Sequence, residues 1–111
     1  MRSPADLEAR VASAILAAMT SVALADGDFD PRERALLDQF RDAMTDELLP
    51  TNVRFTHADD VHALLGWMMA IALVDGPLVD DEWLAMREIA RAHGADEEAL
   101  TAVELDQSAR T

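Results

Sequence analysis

Apolar residues recur along this chain at helical spacing in four long stretches and one short one. Leu7, Val11, Ile15, Ala18 and Val22 form one face of a first helix. Ser3 and Pro4 open it as N-cap and first helical residue, with Asp6 at the third position. Asp26-Gly27 closes it, the glycine supplying a left-handed residue past the last turn. Asp30-Pro31-Arg32-Glu33 then reads as a capping box with proline at the first helical position. Leu36, Leu37, Phe40 and Met44 are the buried side of this second helix. Pro50 and Asn52 break the periodicity between Leu48 and Phe55. Thr56-His57-Ala58-Asp59 is a second capping pattern, with Asp in place of the usual Glu. The third helix carries Val61, Leu64, Leu65, Met68, Ile71 and Ala72 and ends at Asp75-Gly76-Pro77. The fourth starts near Asp80, carries Trp83, Met86, Ile89 and Ala90, and stops at His93-Gly94. Asp96-Glu97-Glu98 caps a last short helix with Leu100 and Val103, and Gln107 to Thr111 reads as a frayed tail. No useful length alternates with period two, so the fold class expected is all-α.

The pattern repeats. Ala23-Leu24-Ala25-Asp26-Gly27-Asp28-Phe29-Asp30-Pro31-Arg32-Glu33 is echoed 49 residues later by Ala72-Leu73-Val74-Asp75-Gly76-Pro77-Leu78-Val79-Asp80-Asp81-Glu82. In the same register Ile15 matches Leu64, Leu16 matches Leu65, Met19 matches Met68, Val22 matches Ile71 and Phe40 matches Ile89. A period near half the chain implies two copies of one supersecondary unit. The expectation is a single domain over 1–111: one helical hairpin over about 4–45, a second over about 56–94, and a C-terminal helix over about 96–106.

Composition narrows the partners. The 111 residues are 50% hydrophobic and 28% charged, with four Gly and four Pro, which suits a helical globular domain. Nine basic against 22 acidic side chains give a formal net charge of −13. That field repels phosphate backbones and anionic lipid, and it favours cations or basic protein surfaces. There is no Cys, so disulfides and thiolate metal sites are excluded. Val11 to Ala25 is uncharged and ends in Ala23-Leu24-Ala25, which has the look of a signal-peptidase site. Asp6 and Glu8 cancel Arg2 and Arg10 ahead of it, and the second copy carries a like ending deep inside the chain. The run is therefore read as a mature helix, and it is short of the ~20 residues a membrane span needs.

The two Asp-Gly turns are the candidate site. Asp-Gly-x-apolar-x-x-x-Glu is also the second half of an EF-hand loop. Here the first and third loop positions would be Val22 and Leu24, or Ile71 and Leu73, none of which can ligate a cation. Two readings stay open. In one, Asp and Gly end a helix, Phe29 or Leu78 plugs the core, and Glu33 or Glu82 caps the next helix. In the other, the hairpins pack about a pseudo-twofold axis and Asp26, Glu33, Asp75 and Glu82 converge. Four such carboxylates repel one another unless a cation neutralises them, and an all-oxygen set suits Ca²⁺, Mg²⁺ or Mn²⁺.

These paired turns, in a small acidic all-helical chain, resemble those of the TerB-like tellurite-resistance family. The resemblance covers roughly Leu7 to Gly94. It implies an internally duplicated helical bundle linked to tellurite and other stress resistance in bacteria, a fold that recurs in membrane-associated co-chaperones. It also implies Asp26 and Glu33, with Asp75 and Glu82, as metal ligands. The second copy departs from the first at Pro77 and Val79, where the first has Asp28 and Asp30. The function implied is noncatalytic. The domain would act in the cytoplasm through protein partners, including a complex at the inner face of the membrane, without nucleic acid and without entering the bilayer. The alternative is a plain helical scaffold, co-chaperone-like, whose turns are purely structural.

Other polar and large residues suggest less chemistry. His57 and His62 share no helix face, and His93 before Gly94 reads as a cation at a helix C-terminus. Met19, Met68, Met69 and Met86 read as core. Trp67 is either core or part of a partner surface. Ser13 and Ser21 lie in an apolar helix with no base beside them.

Overall fold

The computed structural model describes residues 7, 9–25, 27, 30–44, 55, 58–74 and 78–108. The described residues form five α-helices and no strand, so the chain is an all-α bundle. The helices are α1 (Ala9–Leu24), α2 (Pro31–Ala43), α3 (Ala58–Leu73), α4 (Asp80–Ala92) and α5 (Glu97–Ser108).

Local sequence sets most of the helix ends. Asp30 sits at the N-cap of α2 with φ −68° and ψ 143°, and Pro31 follows at the first helical position. Gly27 (φ +78°) and Gly94 (φ +82°) occupy the left-handed region after α1 and α4, where a Cβ would be strained. At the second of these ends the Gly94 N–H donates to the Arg91 carbonyl at 3.1 Å and the Ala95 N–H to the Ala90 carbonyl at 2.8 Å. That pair is a Schellman motif, and it satisfies carbonyls the helix would otherwise leave open. Asp96 Oδ1 accepts the Ala99 N–H at 3.0 Å, capping α5 as its sequence implies. Ser3, Pro4, Asp6, Thr56, His57 and Gly76 lie outside the described residues.

The helices of the two halves begin and end in the same register. Adding 49 to the bounds of α1 gives those of α3, and adding 49 to the bounds of α2 gives those of α4. Burial follows the same offset at the central pairs, while Leu16 and Ile89 are half-buried where Leu65 and Phe40 are buried. Ile15 and Leu64, Met19 and Met68, Val22 and Ile71, and Ala23 and Ala72 are all fully buried. α1 packs most extensively on α3, and this pair forms the centre of the bundle. α2 and α4 each contact both central helices, while α5 covers α3 and α4. Large side chains such as Leu64, Met68, Ile71 and Met86 contribute roughly 1.5–3 kcal/mol each by leaving water. Trp67 is half-buried and meets Phe40 edge-on, with ring centroids 4.9 Å apart and planes at 87°.

The C-terminal helix departs from the sequence expectation. It runs to Ser108, and Gln107 belongs to it instead of to a frayed tail. The cause is tertiary: Gln107 Nε2 donates to the carbonyl of Gly66 in α3 at 2.6 Å, which anchors the last turn.

Candidate functional site

Among the described carboxylates, only Glu33 and Glu82 are buried, at 0% and 2% exposure. They are 49 residues apart and each is the third residue of its helix, α2 and α4. Spacing alone places them at helix starts, where the helix dipole favours a negative charge. Burial is the tertiary addition. Moving a carboxylate from water to a protein interior costs several kcal/mol unless hydrogen bonds or a counter-charge compensate. Neither glutamate stands without a partner.

The two copies are capped differently. In the first, Glu33 Oε1 accepts the Asp30 N–H at 3.1 Å, and the Asp30 side chain returns the bond, completing the capping box. Asp30 Oδ1 also accepts the Arg32 N–H at 2.7 Å and Arg32 Nε at 3.2 Å. The hydrogen bonds from the Arg32 side chain, then from its backbone, hold the Asp30 carboxyl below its ordinary value. In the second copy Val79 stands at the N-cap, and its side chain makes no capping hydrogen bond. The Val79 side chain therefore does not do for α4 what the Asp30 side chain does for α2.

Asp26 and Asp75, the other two carboxylates of the expected site, lie outside the described residues. Among the described residues no group of three or more His, Cys, Asp or Glu is arranged to hold a metal ion. What the structure places is half of the expected donor set: two buried carboxylates of the hard-oxygen type that suits Ca²⁺, Mg²⁺ or Mn²⁺.

A second polar arrangement lies at the far end of α4. His93 does not serve there as the helix-terminal cation its position suggests. Its Nδ1 accepts the backbone N–H of Phe55 at 3.2 Å, so that nitrogen carries no proton. The two rings pack with centroids 4.6 Å apart. The contact pins the residue that leads into the second half of the chain to the α4–α5 turn. Beside it a hollow of about 400 Å³ opens between α3 and α5, lined in part by Phe55, His62, His93 and Ala99. It adjoins another of about 450 Å³ that shares His62, Leu65 and Ala99 and extends to Asp106. Sequence reading missed this groove and the His93 bond because both join residues far apart in the chain. The local signal was a run of small residues, Ala95 in the turn before α5 and Ala99 and Ala102 on it.

No family model, curated protein or solved structure matches this chain. No helix among the described residues is long and apolar enough to cross a membrane.

Proposed function

We propose that this chain is a noncatalytic, TerB-like helical domain of a bacterial stress-response or tellurite-resistance system, and that it works by binding protein partners. The observation that carries the reading is the burial of Glu33 and Glu82 at the same helix position in both halves. A carboxylate that only caps a helix can do so from the surface, where water offsets its charge. Burial of both copies suits a site that has to hold charge. In this reading the two halves are copies of one unit, which the shared offset of 49 in helix bounds supports. Asp26, Glu33, Asp75 and Glu82 would hold a divalent cation such as Ca²⁺, Mg²⁺ or Mn²⁺ between the turns. The net charge of −13 favours basic protein surfaces over nucleic acid. The domain would act in the cytoplasm, at the inner face of the membrane through its partners.

One observation favours a second reading, a plain helical scaffold with structural turns. Glu33 already has a capping role through the Asp30 N–H. The two readings share partner binding and differ in the cation. The stress role is tested by deleting the gene and challenging the cells with tellurite. Lost tolerance that the wild-type chain restores, and the Glu33→Gln/Glu82→Gln chain does not, supports the first reading. Tolerance unchanged by the deletion removes the stress assignment.

A further inference from the structure

We propose that the groove between α3 and α5 is the docking site for a basic amphipathic helix of a partner protein. This rests on the partner-binding reading above and gives that reading a surface. The two adjoining hollows, about 400 and 450 Å³, form one channel because they share His62, Leu65 and Ala99. α3 contributes Ala58, Val61 and Leu65 to its walls, and α5 contributes Ala99, Ala102 and Val103. Alanines on α5 keep its wall low, so a third helix can approach closely. Phe55 and the Gly94-Ala95 turn close one end. From Glu97 to Asp106 the α5 wall spans about 14 Å at 1.5 Å per residue, between two and three turns of a bound helix. Leu105 is 66% exposed, and helical spacing puts it on the flank of α5 beside Ala102.

Charge complementarity selects the occupant. α3 and α5 carry six carboxylates, Asp59, Asp60, Glu97, Glu98, Glu104 and Asp106, and no Arg or Lys. Glu97 is engaged by Arg87 of α4 at 2.7 Å. Asp106 lines the channel itself. Helical spacing puts Asp59 on the flank beside His62 and Glu98 on the flank beside Ala102. An apolar floor between acidic rims fits a helix with Leu-type residues on one face and Lys or Arg on its borders. An acidic helix would meet repulsion along both rims, within a protein already at −13.

The test uses the full chain and a fluorescein-labelled synthetic helix of about 18 residues, enough for five turns, with a Leu face and Lys borders. A Leu/Glu helix of the same pattern is the control. Fluorescence anisotropy gives affinities for wild type, Ala102→Arg in the groove and Gln39→Arg on α2. Ala102 and Gln39 are both exposed, so both variants are expected to fold, and both change the charge equally. The expected result is binding of the Leu/Lys helix alone, weakened about tenfold or more by Ala102→Arg and less than about twofold by Gln39→Arg, as for a blocked pocket against a remote charge. Amide chemical shifts of the wild type, which need no variant, should move along 58–66 and 95–106. Equal weakening by the two variants would assign the binding to diffuse charge and overturn the groove. Shifts confined to other helices would overturn the groove yet leave partner binding standing. No binding of the Leu/Lys helix would overturn the proposed occupant, while the tellurite challenge would still decide the stress role independently.

Discussion

Replacing Val79 by Thr should stabilise the protein, because it restores to the second half a cap that the first half has. Val79 is the N-cap of α4, with φ −102° and ψ 157°. Its carbonyl accepts the Trp83 N–H at 3.1 Å, so the backbone is already placed for capping. Its side chain makes no capping bond, and the early N–H groups of α4 lack the oxygen that Asp30 provides in α2. A Thr hydroxyl at an N-cap contributes about 1 kcal/mol over an apolar residue. Exchanging a methyl for a hydroxyl forfeits part of the methyl's burial. Full burial is worth about 0.8 kcal/mol, and with Val79 42% exposed the loss is about 0.5 kcal/mol. The net gain is about 0.5 kcal/mol, or about 2 °C in Tm for a domain of this size. Thr is preferred to Asp because Asp80, Asp81 and Glu82 already crowd the first turn. The assay is urea unfolding of wild type, Val79→Thr and Val79→Ala. Ala loses the burial and gains no hydroxyl, so it should fall about 1 kcal/mol below wild type. A Thr midpoint no higher than that of Ala would refute the argument that α4 is under-capped.

Two other substitutions probe the turns and the long-range contacts. Gly27→Val should cost on the order of 1–2 kcal/mol in urea unfolding, because φ is +78° and a β-branched residue tolerates that poorly. A Cβ there would meet nothing within 4 Å, so an unchanged midpoint would show that backbone strain is not what the glycine relieves. His93→Leu removes the acceptor for the Phe55 N–H and should cost about 1–3 kcal/mol, the penalty for a buried amide left unbonded. A variant as stable as wild type would mean that the Phe55–His93 bond contributes nothing to the fold.

The helices were legible in the sequence because their punctuation is local. Asp30, Pro31 and Glu33 mark the start of α2 within four residues, and Gly27 and Gly94 mark the ends of α1 and α4 through backbone geometry that glycine alone adopts easily. The bounds of α3 and α4 lie 49 residues beyond those of α1 and α2, the same offset as the repeated phrase in the sequence. What the sequence hid depends on distant partners. Gln107 looked like tail because its anchor, the Gly66 carbonyl, is 41 residues away. His93 looked like a cation because its donor, the Phe55 N–H, is 38 residues away. Spacing placed Glu33 and Glu82 at helix starts but could not reveal their burial, which comes from the docking of α2 and α4 onto the central pair. Asp26 and Asp75 lie outside the described residues, so the proposed convergence of the four carboxylates is an inference from the repeated phrase alone.

That convergence is tested most directly by thermal unfolding with Ca²⁺, Mg²⁺ or Mn²⁺ against NaCl of equal ionic strength. The comparison is made for wild type, Asp26→Asn/Asp75→Asn and Glu33→Gln/Glu82→Gln. A cation held by the native state alone stabilises it by about 2.7 kcal/mol at a hundredfold excess over its dissociation constant. Diffuse screening depends on ionic strength and is matched by Na⁺. The account predicts a rise in Tm specific to the divalent ion that both double variants abolish. Equal Tm values in divalent and sodium salts, or a rise that survives both variants, would contradict it and leave Glu33 and Glu82 as buried helix caps.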